Sequence, residues 1–183
     1  MVYDLKNTNW DKIKTGLEKY LRIMQLVKTA DVTKNGEFKK LFNGFYRIRQ
    51  RSKEFYEALY WFLENHKNKN PSFEEALTFF YNKFQRLEPS FSSKIVATIN
   101  PNLPVWDSEV LKRLKLKKPA AYKSKEQRFK ETLNAYQEIL KWYSKFLHTD
   151  EAKKMIKNFD KNIGIINITP IKKIDLILWQ TKP

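Results

Sequence analysis

Glu88-Pro89-Ser90-Phe91-Ser92-Ser93-Lys94-Ile95-Val96-Ala97-Thr98-Ile99-Asn100-Pro101-Asn102-Leu103-Pro104-Val105-Trp106-Asp107-Ser108-Glu109-Val110-Leu111-Lys112-Arg113-Leu114 reads as two short helices joined by a proline-bearing link. The segment from Ser92 to Ile99 is amphipathic and is closed by Asn100-Pro101, because the residue before a proline is pushed out of helical geometry. Asn102-Leu103-Pro104 makes a constrained turn, and a second helix from Ser108 to Leu116 comes straight after Asp107. Asp107 therefore stands where an N-cap belongs, with a carboxylate oxygen available to the free N–H groups of the first turn. Lys94 falls on the first turn of the first helix, where a surface lysine is the commoner outcome.

The rest of the chain is also helical in pattern. Trp10, Ile13, Leu17, Tyr20, Met24 and Val27 recur in steps of three and four, with Thr8 or Asn9 as cap. A second stripe runs from about Glu37 through Phe38, Leu41, Phe42 and Phe45, and a third from about Ser52 through Phe55, Leu59 and Phe62 to His66. Ser72 and Glu75 have capping-box spacing ahead of Phe73, Leu77, Phe80, Phe84 and Leu87, a helix expected to end at Pro89. Ser124 and Gln127 form a second box, opening the longest helix and its stripe of Phe129, Leu133, Tyr136, Leu140, Tyr143 and Leu147; this should be the central packing helix. Asp150 to about Asn158 continues the pattern, and Thr169-Pro170 opens a last helix ending near Trp179, which is expected to anchor it in the core. Ile163 to Ile168 fits a loop or one short strand. The sum is eight or nine helices in a single all-α domain, residues 1–183.

Composition narrows the function. The 183 residues carry 36 Lys+Arg against 20 Asp+Glu, a net charge of +16 that points to a polyanionic partner. Apolar residues at 42% and aromatics at 15% supply a core, so this is not a disordered basic tail. Absence of cysteine excludes disulfides, thiolate metal sites and a cysteine nucleophile. His66 and His148 stand alone, so no metal site is expected. Four glycines in all argue against a glycine-rich phosphate loop, and no nucleotide or other small-molecule cofactor is expected. Met1-Val2-Tyr3-Asp4-Leu5-Lys6 has no apolar leader, and no apolar run approaches the ~18 residues of a membrane span. A cytoplasmic protein without a membrane partner is expected.

Two basic clusters stand out: Arg47, Arg49 and Arg51 in Tyr46-Arg47-Ile48-Arg49-Gln50-Arg51-Ser52-Lys53, and Lys112, Arg113, Lys115, Lys117 and Lys118, with Lys123 and Lys125 beyond. A strip of cations with aromatic neighbours tracks phosphates, and these eight residues are the candidate nucleic-acid contacts.

The quoted stretch resembles the helix-hairpin-helix DNA glycosylase superfamily. The resemblance rests on a short helix bearing a lysine, a proline-bearing link, and then Pro104-Val105-x-Asp107-x-x-Val110-x-x-x-Leu114 leading into a basic helix, about 27 residues in all. Where the superfamily hairpin carries Gly-x-Gly, this chain has Ser90-Phe91-Ser92. Phe42-Asn43-Gly44-Phe45-Tyr46-Arg47 and the same stretch are also similar to small bacterial proteins of no assigned activity. The superfamily resemblance implies a two-lobed helical fold that binds double-stranded DNA, extrudes a nucleotide and cuts the base–sugar bond. It implies Asp107 as catalytic carboxylate and, if the enzyme also nicks DNA, Lys94 as amine nucleophile. Two other readings remain: a non-catalytic DNA-binding module in which Asp107 only caps a helix, and a helical domain binding RNA or an acidic protein.

Overall fold

In the computed structural model, residues 8–180 are described, and they form nine helices with no strand among them. The stretch Met1 to Lys6, on which the expectation of no leader rests, lies outside the described residues. The helices are α1 (Trp10–Thr29), α2 (Gly36–Phe45), α3 (Lys53–His66), α4 (Phe73–Phe84), α5 (Pro89–Ile99), α6 (Ser108–Arg113), α7 (Lys125–Phe146), α8 (Asp150–Ile163) and α9 (Pro170–Leu178). None of them is long and apolar enough to cross a membrane.

Side-chain caps set most of the starts. Asn9, rather than Thr8, caps α1 by accepting the Lys12 N–H, and Asn35 does the same for Phe38 N–H ahead of α2. Both expected capping boxes form, Ser72 with Glu75 and Ser124 with Gln127, each side chain meeting the other's backbone N–H. The end of α4 differs from expectation. The helix stops at Phe84 because Gln85 turns left-handed, φ 53°, and its N–H closes on the Tyr81 carbonyl at 2.8 Å. Pro89 instead begins α5, at the first helical position, where its missing N–H costs nothing. The apolar run from Ile163 to Ile168 is no strand: Ile163 ends α8, Gly164 leaves the helix with φ 106°, and the remainder is loop.

Two helices share the central role that the sequence pattern gives to α7 alone. On α7 the buried line is Thr132, Tyr136, Ile139, Tyr143 and Phe146, while Leu133, Leu140 and Leu147 are half-buried. Apolar residues at both 139 and 140, and at both 146 and 147, made the stripe ambiguous by one position, and packing chose the other line. All of residues 171 to 178 in α9 are buried, charged groups included. Around α9 pack α1 and α8, while α1 also meets α2 and α5, and α4 lies along α5.

Within α9, Lys172 and Asp175 are 0% and 1% exposed and face each other at 3.4 Å. Tyr143 donates a hydrogen bond to the other Asp175 oxygen. The Lys172 ammonium lies 5.0 Å from the Tyr20 ring centre and 5.4 Å from that of Trp179. Carboxylate, phenol and two aromatic faces thus replace the lost hydration. Burial holds the Asp175 carboxyl above the usual carboxylate range, against the pull of Lys172 and Tyr143.

Candidate functional site

The site is built where α5, α6 and the loop after α2 meet. That loop is forced into an unusual path: Arg47 and Gln50 have φ of 53° and 55°, a region that side chains seldom adopt. Its course is fixed from several sides. Ile48 N–H reaches the Asn43 carbonyl at 2.9 Å, Tyr46 Oη meets Thr98 Oγ1 at 3.1 Å, and the Tyr56 hydroxyl donates to the Ile48 carbonyl at 3.4 Å. Backbone strain held by its surroundings in this way concentrates at functional sites.

Lys94 sits in the second turn of α5, not the first, because the helix begins at Pro89. It is not a surface lysine either. The side chain is half-buried, its ammonium donates to the Tyr46 carbonyl at 3.0 Å, and it lies 5.3 Å from the Phe91 ring centre. Burial pushes its pKa down to about 8, Asp107 opposes the fall, and Arg47 and Arg51 add to it. Asp107 is half-buried at the start of α6. One carboxylate oxygen accepts the Glu109 N–H at 2.7 Å, so the expected N-cap is present. Ser93 Oγ accepts the N–H of buried Trp106 at 2.8 Å, which ties the chain just before Asp107 to the helix that carries Lys94.

Lys94 and Asp107, 13 positions apart, line two adjoining cavities together with Tyr46, Arg47 and Ser108. The first, about 500 Å³, opens against α1 and the end of α9. Its apolar wall is Ile13, Phe45, Leu176 and Trp179, and the Trp179 indole N–H is shut off from solvent with no acceptor among the described residues. Trp179 is thus half-buried against Phe45, at 5.4 Å between ring centres, and serves as cavity wall as well as anchor. The second cavity, about 600 Å³, lies against the start of α5 and the 114–124 loop.

The basic clusters, 60 residues apart in sequence, converge on this second cavity through Arg47, Arg51 and Lys118. Arg51 is half-buried, paired with Glu88 at 3.3 Å and laid over the Phe55 and Phe91 rings. Arg49, Lys112, Lys115 and Lys117 are exposed, Lys112 beside Glu109 at 3.1 Å, whereas Arg113 turns inward and is 9% exposed. Neither histidine joins the site: His66 bonds the Phe62 carbonyl within α3, and His148 is exposed. Among the described residues there is no group of three or more His, Cys, Asp or Glu able to hold a metal ion.

Comparison with known protein families, curated proteins and solved structures finds no match.

Local sequence reading missed two components of the site. Arg128 lines the second cavity from the first turn of α7, where its spacing looks like that of any solvated cation. Trp179 read as core alone. They enter because α7 and the end of α9 border cavities that Lys94 and Asp107 also line.

Proposed function

We propose that the protein binds duplex DNA along its basic face and removes a base from it, in a two-lobed helical fold of the helix-hairpin-helix glycosylase type. Asp107 is the catalytic carboxylate and Lys94 the amine nucleophile. One observation carries this reading: a desolvated lysine amine and a carboxylate share a cavity with an aromatic wall. With a pKa of about 8, roughly a tenth of the amine is neutral at pH 7, against about 0.03% for an ordinary lysine. That is some 300-fold more nucleophile at the working pH.

An extruded base enters the first cavity beside Phe45 and Trp179. The Lys94 lone pair attacks the sugar C1′, the C1′–N bond breaks, and the base departs with the bonding pair. Asp107 takes a proton from the attacking nitrogen and passes it to the departing base. As C1′–O4′ opens, the remaining N–H proton moves to O4′, leaving an imine that water hydrolyses. While the C1′–N bond to the base lengthens and the new bond to Lys94 is incomplete, the carboxylate also offsets positive charge on the sugar.

A second reading, a DNA-binding module without chemistry, has its own support in the Asp107 cap on α6. Asp107→Asn separates the two, since asparagine caps a helix about as well as aspartate but takes no proton. The measurement is base release from duplexes carrying single damaged or modified bases, developed with alkali. Release by the wild type and its loss in the folded variant are expected. Release undiminished in Asp107→Asn would overturn the role of Asp107, and binding without release by the wild type would favour the second reading.

A further inference from the structure

Five cationic side chains line the second cavity, Arg47, Arg51, Lys94, Lys118 and Arg128, against two carboxylates, Glu88 and Asp107. Glu88 is already held by Arg51 and Arg86, each at 3.3 Å, and one oxygen of Asp107 is taken up by its cap. Arg128 is the odd member. It enters no ion pair among the described residues, and its Nε is closed off from solvent with no acceptor there, although the side chain lines an open cavity. The guanidinium makes no hydrogen bond among the described residues, so an anion in the cavity that the side chain lines would supply its acceptor. Planar guanidinium forks pair bidentately with carboxylate and phosphate oxygens, and several cations around one cavity suit the more highly charged phosphate.

We infer that the second cavity is a phosphate seat, with Arg128 as its inner donor and Lys118 and Arg47 at its mouth. At about 600 Å³ the cavity has room for more than one phosphate group. Resting on the DNA reading above, the phosphate belongs to a backbone diester beside the nucleotide whose base enters the first cavity. The α7 guanidinium would then fix the register of the strand relative to Lys94 and Asp107.

The test has two arms. In the first, inorganic phosphate is titrated into the full chain while the arginine Nε–Hε signals are followed by NMR, with Arg128→Gln assigning the Arg128 signal. A saturable shift of that signal is expected, with weaker binding in Lys118→Gln, a change at an exposed position that spares the core. In the second arm, a single neutral methylphosphonate is walked along a duplex. At one position it should weaken wild-type binding about tenfold, as for loss of one charge-assisted hydrogen bond, and weaken Arg128→Gln by less than about twofold. No phosphate shift and no position coupled to Arg128 would overturn the seat. A phosphate shift without a coupled position would retain the seat but overturn its assignment to DNA, in favour of a free phosphorylated ligand. Should the wild type bind no duplex, the DNA reading falls, and the phosphate arm alone decides the seat.

Discussion

Replacing Lys94 by methionine should stabilise the protein, and the gain should vanish as the pH is raised. The amine sits about 2.5 pH units below the ordinary lysine value of 10.5, so holding it charged in the folded state costs roughly 3 kcal/mol. Methionine keeps much of the aliphatic length and removes that cost. It also leaves the Tyr46 carbonyl without its donor, a loss of about 1–2 kcal/mol. A net gain of about 1–2 kcal/mol at pH 7 follows, or about 2–8 °C in Tm for a chain of this size. The sign of the pH dependence is fixed by linkage. Between about pH 8 and 10.5 the unfolded chain holds the Lys94 proton and the folded chain does not, so wild-type stability rises with pH across that window. Methionine has no such term, and the difference between the two proteins should shrink and then reverse. Urea unfolding of both, from pH 6.5 to 10.5, gives the difference with every shared tyrosine and lysine cancelled. A difference that stays constant over that range would refute the argument, as would a variant less stable at pH 7.

Other outcomes follow from the same structure. Removing one partner of the buried pair, Asp175→Leu, strands the Lys172 charge and should cost about 3–5 kcal/mol in denaturant unfolding, while the double change with Lys172→Met should restore most of it. Ser72→Ala, which deletes half of the α4 capping box, should cost about 1 kcal/mol, read as a Tm lower by about 2–4 °C with an unchanged m-value. In duplex binding, Lys115→Gln and Lys117→Gln should each lower the slope of log K against log salt by about 0.9, and equal slopes in variant and wild type would remove those residues from the contact surface.

Helix starts were legible because they are local. Asn9, Ser72, Ser124 and Thr169 each cap a helix through a side chain within three residues of its target. Ends were less so: Gln85 stops α4 in a left-handed conformation that nothing in its residue type requires. Burial of Lys172 and Asp175 could not be read from a pattern in which charges mark the solvent face. It depends on Tyr143, Tyr20 and Trp179 arriving from other segments. At the site, the quoted stretch brought Lys94 and Asp107 to notice, and the cap on α6 was visible in the spacing. The burial of Lys94 was not, since its ammonium meets the Tyr46 carbonyl, 48 positions away in the chain.

Base removal as proposed turns on the amine of Lys94 acting beside Asp107. Borohydride trapping on an abasic duplex tests this most directly, because the reagent reduces an imine to a stable amine and records the bond itself. The expected result is a covalent protein–DNA adduct with the wild type, mapped to Lys94 by peptide mass and absent from Lys94→Met. A wild-type protein that binds the abasic duplex and gives no adduct, or an adduct that persists in Lys94→Met, would contradict it.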